Sequence, residues 1–147
     1  FYYMFILKFI KKIRFFFDIF LKKIKPIIIR NSRVPHWFSN KDMEMYGITL
    51  FPFIFVINFD NRQNELIYKK CEILNHEKIH FQQMLETGII GFYLIFLLEF
   101  MYKSIKYKNI VQGYLNISFE IESYKNMKNS QYLDYRKRYN WLKYIIN

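Results

Sequence analysis

The chain has 147 residues, 52% of them apolar and 22% aromatic, enough to build one core but not two, which excludes a disordered polar chain. A single cysteine, Cys71, excludes an intramolecular disulfide and any cysteine-based metal cluster. The net charge of +11 fits an anionic partner, but Ala is absent while Phe, Ile, Lys, Asn and Tyr abound, so A- and T-rich codons account for much of it.

Residues 1–25 alternate apolar blocks with Lys8, Lys11, Lys12, Arg14, Lys22, Lys23 and Lys25. On a helix these charges, with Asp18, gather on one half of the circumference, and aromatic and aliphatic residues fill the other. Such a basic amphipathic helix has two readings: it lies on an anionic membrane surface, or it docks on its own domain. Charges interrupt the apolar run and no small-residue cleavage site follows, so a cleaved signal peptide is not expected. Pro26 ends the segment and divides the chain into an N-terminal helix, 1–25, and a domain over 26–147.

A short strand is expected at Pro26–Ile29, followed by irregular chain to residue 42. Residues 46–58, YGITLFPFIFVIN, read as a strand or a bent strand pair, with Pro52 marking an edge position or a bulge. Asp60 to Asn64 form a polar turn. From Glu65 to about Glu86 neither Gly nor Pro interrupts a helical spacing, until Gly88 breaks or bends the chain. Residues 88–102, GIIGFYLIFLLEFMY, are almost wholly apolar yet shorter than the ~20 residues of a membrane span, and read as a buried central helix. A polar stretch follows to Gly113. Next come a helix capped by Asn116 or Ser118 and running through Met127, and a last basic helix from Ser130 to Ile146. The expected fold class is mainly α with a small β element (α+β), its edge strand preceding the main helix.

That main helix contains His76-Glu77-Lys78-Ile79-His80, an H-E-x-x-H sequence. One helical turn separates His76 from His80, so both imidazoles leave the same face and can bind one ion. Glu77, about 100° round, stands beside that ion, where it can accept a proton from water as general base. Two neutral His and one carboxylate suit Zn2+ and leave a fourth tetrahedral position for water.

The third ligand must be a carboxylate, because no His follows His80. Glu86, Glu99, Glu120, Glu122 and Asp134 are the downstream choices. Glu86 points away from the face of His80, and Glu99 sits in the apolar helix, where a hydrogen-bonded structural role is its default. The stretch Ser118-Phe119-Glu120-Ile121-Glu122-Ser123-Tyr124 resembles the gluzincin zinc peptidases. Their second helix carries E-x-x-[small]-[polar], with the first Glu on zinc. The resemblance implies that Glu120 is the third ligand, with Glu122 a substitute ligand or a partner that orients one. Tyr124 stands where those peptidases more often have Asp, which leaves open what would orient a ligating His. The chain also resembles a group of short, largely uncharacterised bacterial H-E-x-x-H proteins over about residues 26–145. The shared stretches are Ile48 to Phe55, Leu74 to Gln83, Gly91 to Tyr93 and Ile117 to Tyr124. This likeness implies a zincin-like helical core around the metal.

Among the remaining residues, one of Gln82 and Gln83 could hydrogen-bond a ligand or substrate, but both read first as solvated helix polar groups, and Cys71 as a buried small hydrophobe. His36, Tyr124, Arg136 and Arg138 are candidates to stabilise an oxyanion. Three functions follow as expectations: a metallopeptidase acting on a peptide or protein substrate, a zinc-stapled protein without turnover, and a basic module on an anionic membrane surface. Nucleic acid is not expected as a partner, since no binding motif accompanies the charge. The basic start and the apolar helix point to a cytoplasmic or membrane-associated location.

Overall fold

A computed structural model describes residues 2–57 and 64–146. Helix α1 (Tyr2–Lys23) leads into β1 (Ile27–Ile29), a 3-10 turn at Val34–Phe38, and a hairpin of β2 (Gly47–Leu50) and β3 (Phe53–Val56). Helices α2 (Asn64–Thr87), α3 (Ile89–Tyr107), α4 (Ile110–Leu115), α5 (Ser118–Asn126) and α6 (Tyr132–Tyr135) follow, and a 3-10 turn at Asn140–Tyr144 comes last. The protein is mainly helical with one small sheet. The expected turn at Asp60 to Gln63 lies outside the described residues.

The sheet has the order β1-β3-β2, with β1 parallel to β3 and β2 antiparallel to it. Pro52 has no N–H to give a ladder, and it sits in the hairpin turn rather than at the edge position or bulge expected for it. Its carbonyl accepts from the Ile27 amide at 3.0 Å, which starts β1 alongside β3. Alternation along β3 turns Ile54 and Val56 inward against Ile73 and Phe81 of α2.

The middle of the molecule belongs to α2, where His76, Glu77, Ile79, His80, Phe81, Gln83, Met84 and Glu86 are all buried. This corrects the assignment of residues 88–102 to a buried central helix. Gly88, at φ +73°, lets the chain leave α2 and enter α3 at a bend of 110°. One face of α3, with Phe92, Phe96 and Phe100, packs on Met84, Ile117, Phe119 and Trp141. Its other face is apolar and exposed. A helix apolar all round looks interior by composition, yet here only one side finds a partner within the chain. Helix α3 also runs to Tyr107 and α4 begins at Ile110, where a polar connection was expected.

Helix α5 is held at both ends by side chains from other helices. Glu99 of α3 accepts from the Ser118 amide at 2.7 Å and from the Ser118 hydroxyl at 2.6 Å. This carboxylate, rather than a side chain of Asn116 or Ser118 as expected, satisfies the free donors of the helix start and suits its positive dipole end. At the other end, the Asn75 side-chain amide donates to the carbonyls of Met127 and Asn129 at 2.8 and 2.9 Å.

The basic C-terminal helix expected over 130–146 does not form. Its place is taken by the single turn of α6, an extended residue at Arg136 and the last 3-10 turn. The cause is Arg136, which turns inward and is 7% exposed. It donates to Glu122 at 2.8 and 3.0 Å and grips Glu86 with both terminal nitrogens. Tyr132 and Asn140 add bonds to Glu122 at 2.6 and 3.0 Å. Removing the guanidinium would strand two buried carboxylates, a change that costs about 3–5 kcal/mol. Arg136→Met is therefore expected to lower the melting temperature by about 10 °C or more, measurable by circular dichroism; an unchanged melting curve would show that the cluster is idle.

Candidate metal centre

Glu120 enters the molecule's centre opposite the two histidines because α5 crosses α2 with its ends fixed. His76, His80 and Glu120 are 6%, 6% and 2% exposed. The two histidine Nε2 atoms lie 3.0 Å apart, and the Glu120 oxygens lie 3.2 Å from His76 Nε2 and 3.3 Å from His80 Nε2. Donors bound tetrahedrally at ~2.0–2.1 Å around one ion stand about 3.3–3.4 Å from each other. The three groups therefore fit a single metal ion with little adjustment, and together they could hold one.

The ring of His80 is oriented from behind. Its Nδ1–H donates to Gln83 Oε1 at 2.8 Å, so that in the neutral ring the lone pair is on Nε2, facing the centre. Gln83 in turn donates to Glu122 Oε2 at 2.9 Å and to the Phe119 carbonyl at 3.2 Å. Glu122 thus serves the site through Gln83 and takes no place among the ligands. Gln83 is fully buried and bonds a histidine of the triad, the alternative that the sequence offered beside the solvated role. The signal was available: positions 76, 80 and 83 share one helical face.

His76 has no equivalent support. Its Nδ1 is buried without a hydrogen-bond partner among the described residues. Tyr124, at the position where a carboxylate would orient this ring, instead packs edge-on against it with centroids 4.5 Å apart. Burial first, then the charges of Glu120 and Glu77, push the Tyr124 hydroxyl above its ordinary pKa. A tyrosine that sequence reading missed, Tyr114 of α4, lines both cavities beside Glu120, and burial together with that carboxylate's charge raises its pKa well above normal. It falls between the stretch ending at Gly113 and the expected cap at Asn116 or Ser118, where no pattern marked it.

Glu77 is buried beside the triad and points to neither histidine as a ligand would. Thr49 of β2 donates to Glu77 Oε2 at 2.7 Å and fixes the carboxylate. Gly47 permits this closeness, since a Cβ there would sit 2.9 Å from Glu77 Cγ and 3.0 Å from Oε1. Burial raises the Glu77 pKa, and the neighbouring histidines and Thr49 only partly oppose it. A cavity of about 340 Å3 opens onto Glu77, His80 and Glu120, with apolar walls from β2, Met43, Met84 and the inner face of α3. A second, of about 260 Å3, reaches His76, Glu77, Tyr114 and Tyr124.

No family model, curated protein or solved structure matches this chain. The site's meaning rests on its own geometry. The remaining sequence candidates fall outside it. His36 is exposed on its 3-10 turn and lines neither cavity, Arg136 is committed to Glu86 and Glu122, and Arg138 stacks over Phe17 and Tyr139. Cys71 is exposed, not buried, because its side of α2 faces away from both the sheet and α5.

With no ion bound, burial pulls the His80 pKa down, but the charge and hydrogen bond of Glu120 outweigh it and push it up to about 9. The same contacts hold Glu120 well below the usual carboxylate range, against the opposing effect of burial. At neutral pH the ring thus carries a proton that an incoming ion must displace. Apparent affinity for a divalent metal ion should fall about tenfold per pH unit below that value. Calorimetric titration at several pH values in buffers of different ionisation heat measures both the slope and the proton released; pH-independent binding would contradict it.

Proposed function

We propose that the protein is a zinc-dependent hydrolase that cleaves peptide bonds, with His76, His80 and Glu120 holding the metal and Glu77 as general base. The observation that carries this reading is Glu77 itself: a buried carboxylate, fixed by Thr49, facing the cavity that reaches His80 and Glu120. A metal that only staples helices together needs neither an adjacent unligated carboxylate nor an open approach. Two imidazoles and one carboxylate form a borderline donor set that suits zinc.

When bound, zinc supplies a Lewis acid that acidifies water and polarises a carbonyl oxygen. Glu77 does the proton work. It accepts a proton as the water oxygen bonds to the carbonyl carbon, then passes it to the nitrogen as the C–N bond breaks. Its upward-shifted pKa suits both directions of transfer. The support from Thr49 holds one oxygen still and leaves the other for the proton. Strand β2 ends the sheet, and all four of its residues line the cavity, which favours an extended peptide laid along that edge. The apolar walls favour a large apolar side chain beside the scissile bond. Tyr114, which lines both cavities, and Tyr124, which lines the second, are the groups placed to donate to a developing oxyanion. The resemblance to the gluzincin peptidases agrees with these roles.

Two measurements test the reading. Metal analysis of the purified protein should find about one zinc per chain, lost in His76→Ala and in Glu120→Ala. Glu77→Gln should keep the zinc but lower turnover of unstructured apolar peptides by at least ~100-fold. A protein that binds zinc yet cleaves no peptide in a broad library, and whose stability falls when the zinc is chelated, would have a structural metal instead.

A further inference from the structure

Two helices present large apolar side chains that nothing among the described residues covers. On α3, Ile90, Leu94, Leu97, Leu98, Met101 and Ile105 recur at helical spacing and are 84%, 56%, 53%, 58%, 53% and 76% exposed. They form one stripe about 23 Å long at 1.5 Å per residue. The two charges within that span turn inward: Glu99 holds Ser118, and Lys103 is 2% exposed with its Nζ on the Ile145 carbonyl. Several hundred Å2 of continuous apolar surface is the scale at which a patch marks an interaction site.

The second surface is α1. Of its described side chains only Leu21 is buried. Ile6, Phe9, Ile10, Ile13, Phe16 and Phe20 share one face and are between 49% and 59% exposed. Lys8, Lys11, Lys12 and Lys22 occupy the opposite side. Only the C-terminal end of the helix meets its own domain, through Leu21, Phe17 under Arg138 and Lys22 on the Asp134 carbonyl, and the apolar face from Ile6 to Phe20 is left uncovered among the described residues.

We propose that the protein docks on an anionic bilayer surface, with the apolar face of α1 and the outer face of α3 set into the acyl boundary and the α1 lysines on lipid phosphates. Charge complementarity selects this occupant. The chain carries +11, and the lysines of α1 lie on the side away from its apolar face, from which long aliphatic stems can reach the headgroups. A seam between two soluble copies would carry charged residues along its margins, and the exposed face of α3 has none before Lys106. Among the described residues no single helix is long and apolar enough to cross a membrane, and of the bent pair α2–α3 that passes by length and composition α2 is committed to the interior, which favours surfaces set on the bilayer rather than through it. The inner face of α3 lines the cavity at the metal centre, so docking sets that site one helix diameter, about 10 Å, from lipid. The inference stands independently of the hydrolase reading.

The test is co-sedimentation of the full chain with phosphatidylcholine vesicles, with and without phosphatidylglycerol. Binding is expected to the anionic vesicles and to weaken steeply with salt. Leu94→Asp/Leu98→Asp should reduce it about tenfold or more, as should Ile10→Asp/Phe16→Asp. Circular dichroism checks that each variant is folded, and Met101→Gln/Ile105→Gln provides a second, gentler probe of α3. Failure of the wild type to bind anionic vesicles, or equal binding to neutral ones, would overturn the proposal. Full binding by folded variants of the α3 stripe would remove that face from it. A lipid-free dimer that Leu94→Asp/Leu98→Asp dissociates would assign the stripe to a second copy instead.

Discussion

A buried charge is tolerated only beside a partner, and this fold is arranged around meeting that condition between α2 and α5. Where most helix pairs meet through apolar ridges, these two face each other with His76, His80, Gln83 and Glu86 on one side and Glu120 and Glu122 on the other. Each of these groups would cost several kcal/mol if left alone in such a place. They are divided into two neutralising sets. At one end two imidazoles surround a carboxylate and could share a metal ion; at the other one guanidinium answers two carboxylates.

The two sets are not independent, because Gln83 touches both. Its carbonyl oxygen accepts the hydrogen bond from His80 Nδ1–H and its amide donates to Glu122, so the orientation of a ligand ring is tied to the cluster around Arg136. The apolar clusters lie on either side of this seam, Ile54, Val56, Ile73 and Phe81 towards the sheet and Met84, Phe92, Phe119 and Trp141 towards α3. They supply the burial energy, while the polar seam sets the register in which α2 and α5 meet.

Much of this was legible in the sequence wherever a local pattern determined the outcome. His76 and His80 share a face because a helical turn is 3.6 residues, and the uninterrupted helix guaranteed that spacing. Strands β1, β2 and β3 announced themselves through β-branched and aromatic residues. Glu120 came through the likeness of its helix to a known pattern, and the structure brings it to the histidines. What stayed hidden depended on contacts far apart in the chain. Arg136 looked like one more charge on a basic helix, and only Glu86 and Glu122 pull it inward. Glu99 has the hydrogen-bonded structural role expected of it, but its partner, Ser118 nineteen residues away, was not legible. The outer face of α3 misled in the opposite direction, since apolar character reports a preference for leaving water without naming the partner.

The placement of Arg136 has a consequence for how the protein comes into being. During synthesis His76, His80 and Glu120 all leave the ribosome before it does, so every ligand is present while Glu86 and Glu122 are still unanswered. The ligand geometry therefore depends on a residue sixteen positions beyond the last ligand, because Glu122, which holds Gln83, is itself answered by Arg136.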